Sequence, residues 1–121
     1  LQPLAVYGVP DLIAQMLDKL IANALDFSTD ATPILIQLHA NNEAAQLSVL
    51  NQGPPLPEEM QSSLFDSMVS IRREGEREPH LGLGLYIVRL ITEFHHGTAT
   101  ARNRVDAEGA AFLVTLPLHR G

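Results

Sequence analysis

His80-Leu81-Gly82-Leu83-Gly84-Leu85-Tyr86-Ile87-Val88-Arg89 sets two glycines, one residue apart, at the mouth of an apolar helix. Glycine lets a backbone approach a ligand closely and adopt positive φ. The helix that follows offers unpaired N–H groups and the positive end of its dipole. Together these make an anion site, and the usual biological anion there is a nucleotide phosphate. Packing alone also produces Gly-x-Gly before a helix, so the flanking segments decide the reading.

Upstream, residues 70–79 are charged and glycine-containing, with little to bury, which reads as a mobile segment. Residues 58–65 read as a short helix with acidic residues in its first turn. Asn51-Gln52-Gly53-Pro54-Pro55-Leu56-Pro57 is a loop, because three prolines and a glycine cannot continue a central strand. Residues 34–39 and 46–50 read as strands, and Asn41-Asn42 between them signals a hairpin. Val9-Pro10-Asp11 marks a helix start, with Pro in the first turn and Asp11 complementing the dipole. Leu12, Ile13, Met16, Leu17, Leu20, Ile21, Ala24 and Leu25 then recur at helical spacing until the pattern fades near Phe27-Ser28.

Downstream, residues 84–95 form a second long helix with Leu85, Val88, Ile91 and Thr92 on one side. Residues 97–103 and 110–116 read as a closing hairpin around Asp106 and Gly109. Strands arrive in antiparallel pairs and the helices cover one face. The fold class is α+β, a two-layer α/β sandwich with a mixed, mostly antiparallel sheet. A doubly wound dinucleotide fold is excluded, since no Gly-rich turn follows a first strand. The Gly-x-x-x-x-Gly-Lys-Ser/Thr phosphate loop is missing as well.

The length of 121 residues suits one domain, residues 1–121, without an internal repeat. The net charge of −6 argues against non-specific nucleic-acid binding, which needs clustered Lys and Arg. There is no cysteine, so disulfides and Cys-based zinc sites are excluded. No apolar run approaches the roughly 18 residues needed to span a bilayer, and no signal peptide is visible. The chain opens at Leu1 and reads as a piece of a longer protein.

The order of motifs resembles the ATP-binding catalytic domain of sensor histidine kinases, in the Bergerat-type superfamily shared with gyrase, heat-shock chaperone ATPases and mismatch-repair ATPases. The resemblance covers nearly the whole chain. Leu20-Ile21-Ala22-Asn23-Ala24-Leu25-Asp26-Phe27-Ser28 resembles the Asn-bearing helix. Asn51-Gln52-Gly53-Pro54-Pro55-Leu56-Pro57 resembles the first glycine box, and Leu64-Phe65-Asp66-Ser67-Met68 the phenylalanine box. Gly82-Leu83-Gly84-Leu85 resembles the second glycine box. A fainter likeness, in the Ser-Met-Val-Ser-Ile-Arg stretch and the short lid, is to kinases paired with proteobacterial sortase systems.

The resemblance implies ATP and Mg²⁺ as cofactors. It makes Asn23 the metal ligand, its amide oxygen suiting a hard cation; a locally bonded or solvated Asn is the alternative. Asn51 stands where the family usually has an Asp that accepts a hydrogen bond from the adenine amine. Its carbonyl retains one acceptor for that amine, or else it shapes a turn. Gly53 fits the close approach of the base, while Pro55 stiffens the loop in place of a second glycine. Phe27 stands where an aromatic ring commonly packs on the adenine side, and a core role explains it equally. Gly82, Leu83 and Gly84 would receive phosphate, and Arg72 in the lid falls where some relatives hold a cation near the γ-phosphate.

Four positions depart from the family. Asn51, Pro55 and His80 replace an Asp and two glycines, and Asp26 stands where many relatives have a phosphate-facing Lys. Lys19, four residues before Asn23, either restores part of that charge or is solvated. His95-His96 is not a metal pair on one face, because adjacent residues point about 100° apart on a helix.

The expected function is binding of Mg-ATP and supply of the γ-phosphoryl group to a histidine on a separate dimerisation domain, with no catalytic side chain named in this chain. None of the five His is expected to be the phosphoacceptor. The partners implied are that dimerisation domain and a response regulator, with no nucleic acid and no direct membrane contact. The domain would be cytoplasmic, in a parent anchored in the inner membrane. The alternatives are a degenerate pseudokinase serving as an interaction module, and another enzyme of this fold such as a serine kinase or an ATPase.

Overall fold

The computed structural model describes residues 5–29, 31–41, 43–58, 65, 70–71, 80–81, 83–106 and 108–118. Helix α1 spans Pro10–Phe27. Pro10 and Asp11 sit in its first turn, and the N-cap Val9 has no side-chain cap. Its carbonyl accepts the amides of Leu12 and Ile13, both at 3.0 Å. Met16, Leu20, Ala24 and Phe27 form the buried stripe, the spacing that one helix face requires. Leu25, expected on that stripe, is 57% exposed. One residue past Ala24, it is rotated about 100° away from the core. At the C-cap, the amide and the hydroxyl of Ser28 both return to the Leu25 carbonyl.

The strands are β1 (Leu35–Ala40), β2 (Ala44–Leu50), β3 (Ser70–Ile71), β4 (His80–Leu81), β5 (Thr98–Asn103) and β6 (Ala110–Pro117). Four of them form a sheet in the order β1-β2-β6-β5, with every pairing antiparallel. The β1–β2 hairpin turns at Asn41, whose Oδ1 accepts the amides of Glu43 and Ala44, both at 2.8 Å. Asn42 lies outside the described residues. The central strand β6 is buried from Ala110 to Val114. Its inward residues Phe112, Val114 and Leu116 stand opposite Val49, Leu47 and Ala45 of β2.

Helix α2, Leu83–Phe94, buries Leu85, Val88, Ile91 and Thr92, the four residues expected on its inner side. It packs along α1, and both helices share a core with the inner face of the sheet. The result is the expected α+β sandwich of one helical layer on one sheet.

The β3–β4 ladder pairs Ser70 with Leu81 and Ile71 with His80. Sequence reading gives no strand there, since two residues are too short for a periodic signal. The ladder joins the two ends of the charged segment expected to be mobile. Residues 72–79, including Arg72, lie outside the described residues, as do Gly82 and most of the short helix expected over 58–65.

Candidate functional site

Asn51 follows β2 directly and is sealed from solvent. Its amide donates to the Ala110 carbonyl at 3.0 Å. The reverse bond of a regular ladder is replaced: the Ala110 amide donates at 2.9 Å to Asn51 Oδ1, not to its backbone oxygen. The backbone carbonyl accepts instead from Arg104 Nη1 at 3.2 Å. Gly109 makes this arrangement possible, because a Cβ there would overlap the Asn51 carbonyl oxygen. Its φ of 150° is also one that side chains rarely tolerate.

Arg104 is anchored in turn by Asp106, with Nε to Oδ1 at 2.9 Å and Nη2 to Oδ2 at 2.8 Å. This two-point hydrogen bond holds the Asp106 carboxyl below its ordinary range. Asn51 Nδ2, the other end of the side-chain amide, is buried without a hydrogen-bond partner.

The loop after Asn51 runs against the end of α1. The Thr29 amide donates to the Gln52 carbonyl at 2.7 Å, and the Gly53 amide to the Glu108 carbonyl at 3.2 Å. A Cβ on Gly53 would overlap the Phe27 carbonyl oxygen, so this glycine is required by helix contact. Asn103 brackets Leu56, accepting its amide at 2.6 Å and donating to its carbonyl at 3.1 Å. The proline-rich loop is thus pinned to the end of β5. Phe27 is buried, with its ring 6.4 Å from that of Phe112. Phe112 is the next inward-facing residue of β6 after Ala110. Phe27, Asn51 and Gly53 therefore gather at one end of α1.

Asn23 lies one turn before Phe27 on the same side of α1. Its side-chain nitrogen Nδ2 is buried without a hydrogen-bond partner. A further turn back, Lys19 is half-buried, with Cδ 3.7 Å from where a Cβ on Gly84 would stand. The first turn of α2, opened by Leu83, therefore lies beside Lys19 of α1. Unlike Gly53 and Gly109, Gly84 has room for a side chain at ordinary contact distance among the described residues. No cluster of three His, Cys, Asp or Glu side chains suited to a metal exists among the described residues. A metal here would rest on an amide oxygen, the ligand's phosphates and water, the manner in which Mg²⁺ is commonly held.

Of the residues expected at the site, Asn23, Phe27, Asn51, Gly53 and Gly84 are brought along one side of α1. Arg72 and Gly82 lie outside the described residues. Sequence reading missed Asn103, Arg104 and Ala110, which position the loop and Asn51. One signal was available: Ala99 and Ala101 alternate inward along β5, so Asn103 continues a core-facing row with a polar group.

Residues 8–120 match a family described as histidine kinase-, DNA gyrase B-, and HSP90-like ATPase. The adaptive-response sensory kinase SasA of Crocosphaera subtropica is 34% identical over 116 residues, which are 95% of this chain and 30% of SasA. The sensor protein KdpD of Escherichia coli is 38% identical over 117 residues, 96% of this chain and 13% of KdpD. Among solved structures, the catalytic domain of the histidine kinase ThkA superposes with a TM-score of 0.77 at 31% identity, covering 93% of this chain and 70% of that one. The chain thus spans less than a third of the length of these curated relatives.

Proposed function

The chain belongs to the family of histidine kinase-, DNA gyrase B- and HSP90-like ATPases, and on that premise we propose that it holds a Mg²⁺–nucleoside triphosphate, ATP in the family's usual case, along the Lys19–Phe27 side of α1. It would supply the γ-phosphoryl group to a histidine on a separate dimerisation domain of the same kinase. The observation that carries this reading is Asn23. An amide nitrogen buried without a partner costs about 1–3 kcal/mol, and the residue bearing it lies between an apolar, loop-lined end and the mouth of a helix. That is the midpoint of a site for a base at one end and phosphates at the other.

The residues present fit a hard cation, since Asn23 offers an oxygen ligand and no thiolate or imidazole cluster competes among the described residues. Bound there, Mg²⁺ would neutralise phosphate charge during transfer. The chain's own part is positioning. Phe27 and the Gly53 loop would border the base, while Gly84 at the start of α2 and Lys19 would border the phosphates. Transfer would exchange the bond from the γ-phosphorus to its bridging oxygen for a P–N bond at the partner domain's imidazole, releasing the nucleoside diphosphate. His95 is unsuited to accept phosphate: its Nδ1 is bonded to the Ile91 carbonyl and its Nε2 to the Val9 amide. An aspartate on a response regulator would then take the phosphoryl group. The domain would lie on the cytoplasmic side, where ATP is available, in a parent anchored in the inner membrane.

Calorimetric titration with ATP, with and without Mg²⁺, tests the reading. Metal-dependent binding that is lost in Asn23→Ala supports it, and transfer of labelled γ-phosphate to an added dimerisation domain completes it. Absence of binding at millimolar nucleotide overturns it in favour of a degenerate module.

A further inference from the structure

Strand β1 ends the sheet beyond β2, and all six of its residues are exposed. Three are large and aliphatic: Leu35 is 40% exposed, Ile36 52% and Leu38 48%. Ile36 and Leu38 stand opposite Val49 and Leu47 of β2, on the face that the helices cover. Helix α1 packs over β2 and β6, however, so β1 overhangs it. Between them lies an open apolar cleft of about 240 Å³, lined by Leu38, Ile13, Leu17, Ala45 and Leu47. The core face thus runs past the helical layer and stops on a strand whose outer edge pairs with no other among the described residues. Natural edges are blunted by charge, proline or a bulge. Leu35-Ile36-Gln37-Leu38-His39-Ala40 has no Lys, Arg, Asp, Glu or Pro, and its unbroken register with β2 leaves no bulge.

We propose that this edge is an interface between two copies of the chain, their β1 strands paired antiparallel about a two-fold axis at Gln37. A seam between identical antiparallel strands is self-complementary, so each contact is made twice. Side chains alternate between faces, and only registers that oppose like-facing residues keep the apolar face continuous. Centring on Gln37 does so. On the inner face it sets Ile36 against Leu38 of the second copy, and Leu38 against Ile36 in return. On the outer face Gln37 meets Gln37, and Leu35 meets His39. The chain carries a net charge of −6, which opposes association of two copies. The seam escapes this, because the strand holds neither a carboxylate nor an ammonium or guanidinium group. A six-residue edge is smaller than a standard protein interface, so the dimer forms in a concentration-dependent way. Nucleotide binding plays no part in it.

Analytical ultracentrifugation of the chain from about 1 μM to about 1 mM tests the proposal. The expected result is a mass that doubles as concentration rises, and goes no further. Gln37→Lys sets two like charges opposite each other on the axis. It should return the chain to monomer at the same concentrations, with the melting temperature of the dilute protein unchanged. The chain has no cysteine, so a single introduced thiol reports the register. Paired antiparallel residues stand about 4.5–5.5 Å apart at Cα, within reach of a disulfide. Gln37→Cys should therefore give a covalent dimer on mild oxidation. Thr100→Cys, equally exposed on the outer face but on β5 at the opposite edge, should not. A chain that stays monomeric at about 1 mM overturns the proposal and leaves the edge to a strand of another protein. Growth beyond the dimer overturns it as well. A dimer that survives Gln37→Lys, or that cross-links no better through position 37 than through position 100, overturns it by placing the contact elsewhere.

Discussion

His95 holds Val9 across 86 positions of sequence, its Nε2 accepting the Val9 amide at 3.1 Å. The other ring nitrogen is bonded to the Ile91 carbonyl at 2.7 Å, which makes Nδ1 the protonated one and leaves Nε2 an acceptor. The bond ties the entry of α1 to the exit of α2. Gly8 gives the ring its room, for a Cβ there would stand 2.9 Å from His95 Cδ2.

Loss of the imidazole is therefore felt at both helix ends. His95→Phe should cost about 1–2 kcal/mol in urea unfolding, because the Val9 amide loses its partner. Gly8→Ala should also destabilise, since a ring bonded at both nitrogens cannot step aside. In a His95→Ala background the clash has no partner, so Gly8→Ala should cost much less there. A double-mutant cycle measures that coupling, and additive effects would show that the two residues do not act on each other.

Two glycines separate a demand of the fold from a demand of the site. Gly109→Ala brings a Cβ onto the Asn51 carbonyl oxygen at a φ of 150°, so it should cost more than about 2 kcal/mol. Among the described residues, Gly84→Ala meets nothing closer than Lys19 Cδ at 3.7 Å, and alanine is the better helix former. It should leave the melting temperature unchanged or raise it. If close approach of a phosphate is what keeps Gly84 free of a side chain, the same variant should weaken nucleotide binding. A folded Gly84→Ala with native affinity would remove Gly84 from the site.

The helices and four main strands were legible in the sequence because each carries a long periodic signal. The spacing of Leu85, Val88, Ile91 and Thr92 is enough to orient α2. Strand order was not legible. β6 inserts between β2 and β5 through a pairing more than sixty residues apart, and no local pattern encodes that. The motifs singled out Asn23, Asn51, Gly53 and Gly84 as candidates, but not what holds them. That Gly53 answers to the Phe27 carbonyl, and that the Asn51 oxygen is taken by Ala110, are facts of tertiary contact.

Asn103 offers a test of the proline-rich loop. Both of its amide atoms serve Leu56, so Asn103→Ala leaves a donor and an acceptor unmet and should cost about 1–3 kcal/mol. Asn103→Asp keeps the acceptor for the Leu56 amide but turns a carboxylate oxygen toward the Leu56 carbonyl. That variant should be destabilised near neutrality and recover as acid protonates the carboxyl, which then donates. Chemical unfolding of both variants at neutral and acid pH checks this; an Asn103→Asp variant that loses stability on acidification relative to the native chain would contradict it.

Asp106 should give the hairpin an acid-sensitive anchor of the opposite sign. Its carboxyl is held low by the hydrogen bonds from Arg104. An unfolded aspartate titrates near about 3.9. Because the folded group titrates lower, its stabilising contribution is fully present above that value and disappears as pH falls through the folded pKa. Asp106→Asn cannot titrate, so the native chain should exceed it in stability by a constant margin from neutrality down to about pH 5. Below that the two unfolding curves should converge. The Asp106 side chain is 58% exposed, so added salt should shrink the margin at neutral pH. A margin that stayed flat as acid protonates Asp106 would mean that its charge adds nothing to the anchor, with Arg104 ordered by the Asn51 carbonyl instead.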